Sequence, residues 1–251
     1  MNVLPILLIG IIAVGRPAFQ ESDDWDYGED PARNLSIAAV TFENFGVAVR
    51  CLDGHLGVVF SGLPAASGLR TIRHRIDDGE EYAASWISGP DSSSAFAIWP
   101  RHVATGLSRG GRLSVVVPDG EETVRYSVEL PASGTSVRRV FNACGHDLEA
   151  ADAPAAPDGE NLAGLVWRRV PYPDVPSRTN SEAGLAGLTC EVRDDGRLQD
   201  CQIESEFPAG SGFGRAARSA AHRRGQVSLA DGATTGIAGR RISFMARYRT
   251  P

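Results

Sequence analysis

Four cysteines, Cys51, Cys144, Cys190 and Cys201, are the residues whose type and spacing point most directly to chemistry. An even number suits disulfide formation in an oxidising compartment. Cys190 and Cys201 flank Asp195-Gly196, a dipeptide that favours a two-residue hairpin turn. In that register positions summing to 391 face each other, so the two cysteines stand directly opposite. Cross-strand Cβ atoms are then about 4.5–5.5 Å apart, within reach of a bridge after a modest local adjustment. The pair falls at a hydrogen-bonded position, where Cα atoms lie farther apart, and a bulge or a longer turn would adjust it.

The remaining reactive types form no familiar constellation. The five histidines, His55, His74, His102, His146 and His222, show no His-x-x-x-His spacing, and the cysteines show no Cys-x-x-Cys, so no metal site is expected. There is no Gly-x-Ser-x-Gly elbow for a serine nucleophile. All 25 basic residues are arginine, which excludes a phosphate-loop lysine, a Ser-x-x-Lys pair and a Schiff-base amine. Gly210-Ser211-Gly212-Phe213-Gly214 has the glycine density of a dinucleotide loop but lacks the preceding buried strand, and reads as a tight helix entry. No cofactor is expected. Trp99 to His102 could line a groove, although Pro100 also suits the start of a short helix. The acidic clusters Asp23-Asp24, Asp77-Asp78 with Glu80-Glu81, and Asp119 with Glu121-Glu122 fall in predicted loops, where solvated turns explain them. Carboxylate catalysis of the glycosidase kind needs only two such acids to approach, so a cell-wall hydrolase stays open as the alternative to a binding protein. A net charge of −6 without an arginine-rich stripe argues against nucleic acid.

The elements that must position these residues are mostly strands. In GVAVRCLDGHLGVVF, Val47, Val49 and Cys51 share one face, Asp53-Gly54 turns the chain, and Leu56, Val58 and Phe60 return. Further strand-like runs at 72–76, 113–117 and 124–130 stand beside turn signals at Asp78-Gly79 and Asp119-Gly120. Val137, Val140, Phe141 and Cys144 then fall on one helical face, with Ser133 or Thr135 as cap and Gly145 as terminator. This helix points Cys144 toward the sheet that holds Cys51. A Cys51–Cys144 disulfide is the expectation, with two buried free thiols as the alternative.

The N-terminus, MNVLPILLIGIIAVG, carries an apolar run from Val3 to Val14 and a small-x-small triplet, and resembles a secretory signal peptide. The run is about 18 Å long as a helix, short of the ~30 Å of a bilayer core. Residues 146–161, rich in Ala, Pro and acids, read as a linker. Beyond it come a proline-rich entry, the cysteine hairpin, a helix with the stripe Phe213, Ala216, Ala217, Ala220 and Ala221, and a strand. In that strand Ile242, Phe244, Ala246 and Tyr248 face inward and Arg241, Ser243, Met245 and Arg247 outward. The expected class is therefore α+β. It comprises a signal peptide (1–20), a β-rich antiparallel domain closed by one helix (21–145), the linker (146–161) and a small domain whose antiparallel sheet is covered by one helix (162–251).

Tyr172-Pro173, Gly187 leading a strand, the Asp195-Gly196-Arg197-Leu198 turn, the Gly212-Phe213-Gly214-Arg215-Ala216-Ala217 helix start and the closing strand together resemble the C-terminal domain of the TonB family. The resemblance spans roughly residues 165–250, and with Cys190 and Cys201 flanking the turn it is to the cysteine-containing periplasmic subset. It implies a periplasmic domain that binds a protein or peptide of the cell envelope, such as a segment of an outer-membrane receptor, by adding a strand to its sheet. The implied edge is the closing strand, with Arg241, Ile242, Ser243, Phe244, Met245 and Arg247 as its contact residues. The short apolar N-terminal run contains neither His nor Ser, and a folded domain and short linker replace a long Pro-rich spacer. Force transmission is accordingly not expected. The alternative is a peptidoglycan-binding protein or envelope hydrolase with its site in the first domain or between the two.

Overall fold

A computed structural model of the chain describes residues 24–148, 160–176 and 183–249. The predicted signal peptide, and residues 149–159 of the predicted linker, lie outside the described residues.

The first half is a run of antiparallel hairpins. Its strands are β1 (Asp26–Asp30), β2 (Leu35–Thr41), β3 (Gly46–Leu52), β4 (His55–Ser61), β5 (Ala66–Ile76), β6 (Tyr82–Ser92), β7 (Ala95–Ala97), β8 (Gly111–Asp119) and β9 (Glu122–Leu130), with helix α1 (Pro100–Leu107) after β7. They form one nine-stranded sheet in the order β1-β2-β3-β4-β7-β6-β5-β8-β9. The β3–β4 hairpin follows its pattern: Val47, Val49, Cys51, Leu56, Val58 and Phe60 are all buried. Asp53 and Gly54 both take positive φ, 50° and 77°, as the tight hairpin turn between Leu52 and His55 requires.

The sheet curls so that its two ends meet. Asp24, just before β1, bridges to Ser133 after β9, and Tyr126 of β9 stacks on Phe45 at 4.8 Å while its hydroxyl donates to the Gly62 carbonyl at 2.8 Å. One cluster including Phe45, Phe60, Trp86, Leu113 and Phe141 fills the interior. Helix α2 (Thr135–Ala143) packs on β2 and β3. Its start is shared between near and distant groups: the Ser133 hydroxyl accepts from the Thr135 N–H at 3.3 Å, and the Asp24 carboxylate accepts from the Ser136 N–H and hydroxyl, each at 3.1 Å. Its end is a left-handed Gly145, with His146 N–H donating to the Phe141 carbonyl and Gly145 N–H to that of Asn142. The Cys51–Cys144 disulfide ties this helix end to β3.

His74 of β5 is buried in this core between Tyr82, Phe60 and Trp86, with ring centroids 5.3–6.3 Å away, and its Nδ1 has no partner among the described residues. Burial, reinforced by the charge of nearby His102, lowers its pKa from 6.5 to about 4. The folded protein therefore holds a neutral imidazole, while the unfolded chain takes up the proton near pH 6.5. Stability contributed by this residue is complete above pH 6.5, falls as pH drops, and is lost below about pH 4, a change of roughly 3 kcal/mol. Urea titrations across pH 7.5 to 4 should show this slope in the wild type and a flatter one in His74→Phe. Parallel profiles would assign the acid sensitivity elsewhere.

The second half contributes β10 (Glu160–Asn161), β11 (Val166–Arg169), β12 (Ala183–Val192), β13 (Leu198–Phe207), helix α3 (Phe213–Arg224), β14 (Gln226–Ser228) and β15 (Arg241–Arg249). A four-stranded sheet runs β10-β15-β12-β13, and β11 pairs separately with β14. Phe213, Ala217 and Ala221 lay α3 on one face of the larger sheet. The small side chains let the helix approach closely.

The cysteine hairpin reaches its register by another route. Its turn is longer than two residues: Arg193 N–H donates to the Arg197 carbonyl, with left-handed Gly196 inside, and Val192 faces Leu198. That alone would leave the cysteines out of line. Asp200, at φ 47°, is then the extra residue of a bulge, so that Thr189 faces Gln202 and Cys190 meets Cys201 with Cα atoms 4.0 Å apart in the second disulfide.

The expected α+β layout is overturned. Strands make up 53% and helices 15%, with three helices among the described residues, and the fold is β-rich and mostly antiparallel. The physical reason is that the large sheet curls around one interior, so that most of its inner face is buried by its own strands and only two short helices, α1 and α2, complete the core. The second sheet is covered by a helix on one face, but its other face rests on the first sheet's outer wall. There Leu185, Phe207 and Met245 pack with Ile87, Phe96, Ile98 and Trp99. The ends of the predicted linker are also structured: Leu148 is buried in the first core, and Glu160 and Asn161 pair with β15.

Candidate functional site

Strand β15 is held very unequally on its two sides. Toward β12 it makes nine register pairs, from Glu191–Arg241 to Ala183–Arg249. Toward β10 it makes two, Phe244 with Glu160 and Ser243 with Asn161. From Met245 to Arg249 no strand among the described residues pairs with its outer side. A run of backbone donors and acceptors on such an edge is a template for an incoming strand.

The predicted edge residues separate by face. Ile242 is fully buried opposite Cys190, and Phe244 is buried with its ring edge-on to Trp167 at 5.2 Å. Ala246 and Tyr248 complete this inward row, the Tyr248 hydroxyl donating to the Phe213 carbonyl at 2.6 Å. The opposite row is not uniformly outward. Ser243 is fully buried, sharing a 2.8 Å hydrogen bond with Thr189, and Met245 packs against the cluster of Ile98 and Trp99. Arg241 is half-buried at the start of the strand, whereas Arg247 and Arg249 are exposed. Residues 160–251 hold thirteen arginines against ten acids, although the whole chain is at −6.

A second feature lies where the two sheets meet. Arg101 of α1 reaches Glu204 of β13 in a buried two-pronged ion pair, its Nε donating at 2.9 Å and its Nη2 to the other carboxylate oxygen. Ser205 adds a 2.9 Å bond to the Ile98 carbonyl. Beside the pair is a polar cavity of about 370 Å³ lined by Arg101, His146, Asp147, Glu191, Asp200 and Arg241. Burial, then the Arg101 charge, lowers the His146 pKa, and Glu204 partly opposes them. Its imidazole is neutral near pH 7 and able to accept a proton, with carboxylates along the same wall. Among the described residues no three His, Cys, Asp or Glu side chains are grouped to hold a metal ion.

The sequence offered Trp99 to His102 as a groove lining and a site between the two domains, but not the pairing of Arg101 with Glu204. Arg101 and Glu204 are 103 positions apart, and neither sits in a motif. The readable signal was β12, whose LAGLTC stretch is buried without alternation, the mark of a strand covered on both faces. No known protein family, curated protein or solved structure matches the chain.

Proposed function

We propose that the chain is an exported protein of the cell envelope that captures an extended protein or peptide segment by strand addition at the outer edge of β15, without transmitting force. The observation that carries this reading is that, among the described residues, no strand pairs with the outer side of Met245 to Arg249. Two disulfides support a periplasmic location, because such bonds persist in oxidising compartments. No helix among the described residues is long and apolar enough to cross a membrane. Arg247 and Arg249 favour a segment with acidic residues at alternate positions, where cross-strand opposite charges add to the main-chain bonds. An outer-membrane receptor segment of that composition fits.

The test is amide hydrogen exchange with a synthetic peptide of alternating valine and glutamate. Added peptide should slow exchange between Met245 and Arg249, and the same peptide N-methylated at alternate residues should not. Unchanged exchange with the unmodified peptide would remove the reading.

The polar cavity supports a second reading, a peptidoglycan-binding protein or envelope hydrolase, because His146 and the acids Asp147, Glu191 and Asp200 line one space. Soluble peptidoglycan fragments that shift the His146 resonances, while leaving residues 245–249 unaffected, would favour it.

A further inference from the structure

A guanidinium half-sunk in apolar surface ordinarily has a carboxylate beside it, because removing its charge from water is expensive. Arg50 of β3 has none. It makes no ion pair or hydrogen bond among the described residues, although burial alone lowers its pKa from the ordinary arginine value. Its position follows from the strand register. Arg50 faces Gly57 on β4, and that missing side chain leaves the guanidinium stem lying across β4, in van der Waals range of where a Cβ would stand. The head group then reaches Phe96 of β7, 5.1 Å above the ring centre. Stacking orients the cation but supplies no anion.

Arg50 lines a cavity of about 470 Å³ between the outer wall of the large sheet and the end of β13. Ile87, Phe96, Leu185, Phe207 and Pro208 make its body apolar. The acids on its rim are already engaged: Glu206 accepts from the Gly210 and Gly214 amides at 2.8 Å each, and Asp53 accepts from Asn34 at 3.1 Å. His55 lies beside Asp53 on the same rim. The volume falls in the range of small-molecule sites, which are mostly apolar with a few placed polar groups.

We propose that this cavity binds an amphiphilic anion, an apolar chain or ring system carrying one carboxylate, with Arg50 holding the carboxylate and the apolar body against Ile87, Leu185 and Phe207. The ligand would complete the charge that the described residues leave unmatched. This site is separate from the β15 edge and does not depend on strand addition.

The probes are dodecanoate, dodecanol and dodecyltrimethylammonium, below their aggregation concentrations, with the full disulfide-bonded protein. Calorimetry should give saturable one-to-one binding of dodecanoate, with methyl resonances of Ile87 and Leu185 shifting together. Arg50→Gln should weaken it roughly tenfold to a hundredfold, the loss expected for a charge-assisted hydrogen bond. Arg50→Lys should recover part of it and also serves if the glutamine variant does not fold. Dodecanol should bind more weakly and the cation should not bind. The proposal is overturned if dodecanoate does not bind, if either control binds as tightly, if the shifts fall elsewhere, or if neutralising Arg50 leaves affinity unchanged.

Discussion

Arg101→Met alone is expected to destabilise the protein by about 3–5 kcal/mol, because it strands the Glu204 carboxylate in a site where its side chain is 1% exposed. Glu204→Met should be comparably harmful, leaving a buried guanidinium. The double variant Arg101→Met/Glu204→Met is the informative one. With both charges gone no group is left unsolvated, and the neighbouring Ile98 and Trp99 offer apolar contacts. Buried pairs replaced as a unit by apolar side chains are often neutral or stabilising, so most of the loss should return. Urea unfolding of the four proteins at pH 7.5 measures the coupling. If the double variant were as unstable as either single, the pair itself would be holding the second sheet to the first sheet's wall, and its removal should also open the polar cavity beside His146; a loss equal to the sum of the singles would mean that the two residues act independently.

The second large effect concerns the disulfides, which are unequal. Cys51–Cys144 closes a separation of 93 residues and Cys190–Cys201 one of 11. In the chain-entropy model, replacing the first pair by alanine should cost about 4–5 kcal/mol and the second about 3 kcal/mol. The consequences differ in place as well as size. Loss of the long bridge frees the C-terminal end of α2 from β3, so hydrogen exchange should accelerate at Val140 and Phe141 and in β2. Loss of the short bridge should act on the bulge at Asp200 and the adjoining hairpin. Equal melting temperatures for the two double-alanine variants would argue against the loop-length account.

The local pieces were legible in the order of residues. Alternation in GVAVRCLDGHLGVVF defined a hairpin because strand side chains repeat every two residues, and Asp53-Gly54 could supply two successive positive φ values. The stripe through Val137, Val140, Phe141 and Cys144 carried the information that α2 would bring its cysteine to the sheet of Cys51. The closing strand and the helix before it were legible for the same reason of period. Packing between distant segments set what no period encodes. A bulge at Asp200 compensates a turn longer than expected, a matter of one residue's backbone rather than of side-chain pattern. The curl of nine strands around one interior depends on twist and on contacts such as Phe45–Tyr126, and it leaves the helices a minor part of a β-rich fold. The meeting of Arg101 with Glu204, and the unmatched charge of Arg50 above Phe96, arise from segments far apart in the chain. Opposite-charge and cation–ring contacts require only proximity, and proximity between distant segments is set by how whole sheets pack.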